Sequence, residues 1–261
     1  MRMKVSRPGR ALPRLALAII AVLAVPAPGL LTAQEALPSA ESLADRHVRA
    51  IGGREAVVRH TSTRVTGTVA VPSSGLTGSF EAFAAKPDKA FLKVTLTGIG
   101  ESLEGFDGRV AWTTSALTGP MLVQGKEYEQ KKFGADYYAD LRQAERYKSM
   151  KTLEKTTWEG RSSYKVSLIR HDGSEEIEYY DVETGFKTGS VVTREMMMMG
   201  AVPVTSVASD YRKFGDVMHA STTKQIAMGA QIVMTITSVE YDKVDPAVFE
   251  LPPAIKALVK P

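Results

Sequence analysis

The stretch from Leu76 to Trp112 most limits what this chain can become. Its alternating runs are broken by Lys86-Pro87-Asp88-Lys89 and by Asp107-Gly108. Short turns of this composition join strands that must be neighbours, so an antiparallel meander is expected. Proline fixes its own φ and has no N–H to donate, which suits Pro87 to a corner. Asp-Gly tolerates the positive φ of a tight hairpin loop. Along residues 91–97, Leu92, Val94 and Leu96 share one face, and Lys93, Thr95 and Thr97 the other. One side of this sheet therefore needs an apolar partner.

The flanking sequence extends the pattern. Ser39 caps a helix with Leu43, His47, Val48 and Ile51 at helical spacing, and Glu55 to His60 predicts another turn that brings Val57 and Val58 to the same core. Thr63 to Val71 alternates as a first strand. Ser115 to Gly125, with Gly119-Pro120 and no clean period, reads as a loop. Lys126 to Tyr147 places Phe133, Tyr137, Leu141 and Ala144 on one stripe and reads as an amphipathic helix, or as two shorter ones broken at Gly134. Seven more strand candidates lie between Lys151 and Tyr241 at hairpin spacing, and Asp245 to Phe249 reads as a helical turn before an exposed tail. A sheet of roughly ten or eleven strands is too large to stay flat. The expected fold is α+β: a curled antiparallel sheet forming an incomplete β-barrel, with helices covering its concave side. No repeat or linker divides residues 34–261, which are read as one domain.

The basic pI of about 9.1 is misleading. Arg2, Lys4, Arg7, Arg10 and Arg14 all precede the apolar run Leu15 to Val25, and removing those five from 33 basic residues leaves 28 against 29 acidic ones. A near-neutral chain lacks the footprint of a phosphate-backbone binder, so nucleic acid is set aside. Five positive charges, a short apolar run ended by Pro26 and Pro28, and Ala33 before Gln34 make residues 1–33 a secretory signal peptide. The chain has no cysteine, hence no lipid attached through an N-terminal cysteine, no disulfide and no thiolate metal site. A periplasmic address is expected, with secretion beyond the cell as the alternative.

No catalytic constellation stands out. The glycines sit in hairpins instead of in a phosphate loop, and His47, His60, His171 and His219 have no metal-ligand spacing. His171-Asp172-Gly173-Ser174 is a solvated hairpin tip that cannot hold a nucleophile, base and oxyanion site in register. Neighbouring carboxylates such as Glu175 and Glu176 point to opposite faces of a strand. No cofactor and no metal are expected. The run Met196 to Met199 suits either an adaptable apolar site or simple filler, with at most two members on one face.

The order of features resembles the LolA-type family, periplasmic carriers of outer-membrane lipoproteins, through most of the mature chain. It rests on the N-terminal helix, a strand ending in Lys86-Pro87, Asp107-Gly108 followed by Trp112, Tyr179 to Gly185, and the closing Val244 to Pro253. The resemblance implies a half-barrel around an apolar cavity under a helical lid. Its cargo would be the acyl chains of a lipoprotein or lipid, passed from an inner-membrane donor to an outer-membrane acceptor. Those carriers place an arginine before the proline of the first turn, where it helps latch the lid; Lys86 stands there in this chain and lacks the planar forked donor. The expected lining is Leu92, Val94 and Leu96 with Phe80 and Trp112, and Lys86 near the mouth. The alternative is a sensor or regulatory module of the same fold that recognises a protein partner.

Overall fold

The structure, a computed structural model, describes residues 36–196 and 199–259. The signal peptide expected over residues 1–33, and Met197 and Met198, lie outside them. One antiparallel sheet of thirteen strands dominates. Its first six strands are β1 (Ser62–Val71), β2 (Leu76–Ala85), β3 (Lys89–Leu96), β4 (Gly100–Phe106), β5 (Ala111–Ser115) and β6 (Gly119–Val123). The other seven are β7 (Tyr147–Trp158), β8 (Arg161–Arg170), β9 (Glu175–Asp181), β10 (Lys187–Met196), β11 (Gly200–Phe214), β12 (Val217–Ala227) and β13 (Ala230–Tyr241). The meander around Pro87 forms as expected, in β2 to β5.

The order across the sheet is β6-β5-β4-β3-β2-β1-β13-β12-β11-β10-β9-β8-β7. First and last strands pair at the centre, so β6 and β7 are the free edges and the sheet is not closed. The segment joining these edges, residues 124–146, must therefore cross a face of the sheet. It does so with helix α3 (Gly125–Gly134), which packs against both β5 and β10.

All the N-terminal and crossing helices lie on one face. Helix α1 (Ala40–Ala50) is capped as expected, Ser42 N–H donating to Ser39 Oγ at 3.1 Å, and its Ala40 and Leu43 pack on Val166, Leu168 and Tyr180 of β8 and β9. Tyr128 in the first turn of α3, and Ala135 just past its last, pack on Ala90, Phe106, Ala111 and Val123, which lie side by side from β3 to β6. This covered face is the concave side of an α+β half-barrel.

Four local readings are corrected. Residues 115–125 are not a loop: β5 and β6 form a hairpin there, and Pro120 is tolerated because β6 is an edge strand. The single helix expected to Tyr147 gives way to the alternative, a break at Gly134, after which come a 3₁₀ turn (Ala139–Leu141) and the short α4 (Gln143–Arg146). Asp136 gives the reason: its carboxylate accepts from the Tyr138 N–H at 3.2 Å and from Arg146 at 2.9 Å, a local closure that competes with the helix ladder. The tail is not exposed throughout either. A 3₁₀ turn (Pro246–Phe249) lies against β3, and α5 (Pro253–Lys256) against β6 with Ile255 fully buried. In α2 (Arg54–Arg59), Val58 points outward instead of joining the core.

Candidate functional site

Two pockets open on the concave side. They share Thr63, Ala84, Ala90, Gly134 and Ala135, and so are lobes of one hollow beneath the end of α3. The larger, about 510 Å³, is lined chiefly by apolar groups, among them Val65, Ala82, Leu92, Phe106 and Met234. The run of alanines at 82, 84 and 90 is what leaves it open, since larger side chains there would fill it. Its volume falls in the range of sites that bury small ligands. Three ties hold α3 across it. The Gln130 amide donates to Thr193 O (3.1 Å) and accepts from Glu195 N–H (3.0 Å), Lys126 meets Glu195 at 3.3 Å, and Lys131 meets Glu104 at 2.5 Å.

The second lobe, about 380 Å³, carries a charged cluster, and Lys187 is its hub. The Lys187 ammonium lies 3.1 Å from Glu178 Oε1 and 3.2 Å from Asp140 Oδ1. Its backbone N–H donates to His47 Nδ1 at 3.1 Å, and its carbonyl accepts from the Tyr211 hydroxyl at 2.6 Å. One residue thus ties α1, the 3₁₀ turn, β9 and β11 together. Lys187 and Asp140 keep 29% and 40% side-chain exposure because they face the lobe, whereas Glu178 keeps 4%. Burial raises the Glu178 carboxyl, which accepts from the Tyr180 hydroxyl, while the Lys187 charge holds Asp140 down at about 2. Burial also lowers His47 to about 4, so its ring is neutral and Nδ1 is free to accept. The other hydroxyls here pair within the protein, Tyr137 with Thr63 (2.7 Å) and Tyr241 with His219 Nε2 (2.5 Å).

One wall of this lobe is a clasp. His60, just past α2, places Nε2 2.7 Å from Asp216 Oδ1 in the β11–β12 turn and Nδ1 2.8 Å from Asp242 Oδ2 after β13, and its ring stacks on Tyr241 at 3.9 Å. Both nitrogens face carboxylates, so both must carry protons. Burial opposes that charge, but the hydrogen bonds that His60 donates to Asp216 and Asp242 outweigh it and raise the His60 pKa above its ordinary 6.5. The hydrogen bond from His60 lowers Asp216, and, ahead of the other contributions, takes Asp242 down to about 2. A raised histidine stabilises fully below about pH 6.5 and is lost as pH climbs through its folded value. Depressed carboxylates stabilise above about pH 4 and are lost on acidification. Urea denaturation of wild type and His60→Gln should therefore differ most between about pH 4 and 6.5, with the gap shrinking in alkali. A gap independent of pH from 5 to 10 would contradict the clasp.

No family model and no curated protein matches this chain. Among the solved structures that superpose over most of it are the following two. A LolA superfamily protein from Nitrosomonas europaea is 11% identical with a TM-score of 0.55, covering 82% of this chain and 99% of that one. A DUF1329 family protein from Desulfovibrio piger is 12% identical with a TM-score of 0.54, covering 81% and 97%. The chain has the LolA-type fold. At such identities the likeness lies in the path of the backbone, and the two lobes are described from this chain's own side chains.

Within this LolA-type fold the expected lining residues separate. Leu92 lines the apolar lobe. Phe80, Val94 and Leu96 share its face, Phe80 opposite Val94 and Leu96 opposite Gly78, but lie farther along the strands, outside the lobe's lining. Phe80 is buried, with Gly67 beneath its ring. Trp112 does not join them. It pairs with Gly105, which pairs with Phe91, so it lies on the opposite, convex face against the Phe91 ring at 5.9 Å. Gly105 was the available signal, since an added Cβ there would meet the indole at 2.7 Å. Lys86 is exposed at the β2–β3 turn and lines neither lobe. Lys187, Asp140, Glu178 and His60 were not anticipated. Among the described residues no cluster fit to hold a metal ion occurs, and no helix is long and apolar enough to cross a membrane.

Proposed function

We propose that the mature chain is a non-enzymatic, exported carrier that holds an acyl chain of a lipid or lipid-modified protein in the apolar lobe, under α3. The observation that carries this is the alanine-floored lobe of about 510 Å³. Each methylene moved out of water gains roughly 0.8 kcal/mol, so a chain of ordinary length gains on the order of 10 kcal/mol. The LolA-type fold supports the same reading, as does an export signal followed by a cysteine-free chain. The periplasm, between an inner-membrane donor and an outer-membrane acceptor, is the compartment that this reading requires.

Release needs a part that moves. Helix α1 is a poor candidate, because Ala40 and Leu43 belong to the packed core with Val166 and Leu168. Helix α3 has no fully buried residue between Gly125 and Gly134; only the partly buried Tyr128 and Phe133 pack on the core, and the rest is held over the lobe by polar ties. Exposed ion pairs of this kind contribute up to about 1 kcal/mol each, small beside the cargo term. Helix α3 is thus the lid. In a transfer assay between donor and acceptor vesicles carrying a fluorescent single-chain lipid, added protein should accelerate transfer in proportion to its concentration. A rate independent of protein would count against a carrier.

A further inference from the structure

We propose that the cargo is an anionic amphiphile, with its acyl chain in the apolar lobe and its carboxylate or phosphate on the Arg194 guanidinium at the lobe's edge. This rests on the acyl-chain reading and adds the head group to it.

The charges around the apolar lobe single out Arg194. Glu104, Lys131 and Arg194 are the charged residues in its lining. Lys131 and Glu104 neutralise each other at 2.5 Å. The Gln130 amide is committed on both ends to the β10 backbone at Thr193 and Glu195. Glu195, next in sequence, is taken by Lys126 at 3.3 Å. Among the described residues no carboxylate lies within ion-pairing distance of Arg194, which is exposed at the end of the lobe where β10 pairs with β11 through Val202.

A cation without a partner beside a greasy cavity selects against cations and favours an anion. A guanidinium does so with a planar fork that matches two oxygens of a carboxylate or phosphate. An uncharged diacylglyceryl group would use the lobe and leave Arg194 idle. A fatty acid or a monoacyl phosphate uses both.

The test compares three single-chain probes as monomers: hexadecanoate, hexadecyl phosphate and hexadecanol. Wild type should bind both anions about five- to tenfold more tightly than the alcohol, a margin that shrinks at high salt. Arg194→Gln should erase that margin and leave alcohol affinity unchanged, and Arg194→Lys should keep part of it. The ratio between the two anions separates a carboxylate source from a phosphate source. Equal binding of all three by wild type, or a margin that survives Arg194→Gln, overturns the head-group assignment while the acyl-chain reading stands. Failure to bind any probe overturns both.

Discussion

At neutral pH, Lys187→Met is expected to lose about 3 kcal/mol of folding stability, as measured by urea denaturation. The methionine fills nearly the same volume, so the loss is electrostatic. Glu178 keeps 4% side-chain exposure, and without the ammonium at 3.1 Å its charge has no counterion in the lobe. Removing one member of a buried ion pair costs far more than the pair itself contributes. The same logic predicts rescue: Lys187→Met combined with Glu178→Gln should recover most of the loss. Acid should also narrow the gap, because Glu178, already raised by burial, takes up a proton and stops being an orphan. The Asp140 part narrows the gap in the same direction, from the wild-type side. Its folded value of about 2 lies below the ordinary carboxylate range, so the stability it draws from Lys187 is present above about pH 4 and lost as pH falls toward 2. A single variant within about 1 kcal/mol of wild type at pH 7 would mean that the lobe is solvated well enough to need no hub.

The second large effect concerns the hollow. Ala82→Trp places an indole between Val65 and Leu92, its neighbours across the strands, in the middle of the apolar lobe. Displacing about four methylenes of a bound chain at ~0.8 kcal/mol each removes about 3 kcal/mol, or roughly 100-fold in affinity. Folding should survive, because the ring enters open space instead of a packed core. The control is Thr68→Trp, an exposed position on the convex face of β1, which should bind as wild type does. Equal affinity in Ala82→Trp and Thr68→Trp, measured with hexadecanoate, would move the binding site elsewhere.

How far the sequence could be read follows from how local each cause is. The meander around Pro87 and the Ser39 cap depend on residues within a few positions of each other, and both formed. The break at Gly134 was one of two readings of residues 126–147; what the helical stripe does not report is Asp136 closing onto Arg146, a side-chain event that decides between them. Trp112 was grouped with Leu92 because alternation fixes faces within a strand, whereas faces between strands depend on register across turns. The charged cluster of the second lobe was illegible for a plainer reason. His60 meets carboxylates 156 and 182 positions away, and Lys187 meets His47 from 140 positions away. Singly, each such residue is indistinguishable from a solvated surface charge.

The central claim is that the space over Ala82, Ala84 and Ala90 is kept for a guest. The most direct measurement is mass spectrometry of the organic extract from mature protein purified without detergent from the exported fraction. Wild type should yield acyl lipid at close to one molecule per chain, and Ala82→Trp should yield almost none. Folded wild type that carries no lipid, or equal lipid from both proteins, would contradict it.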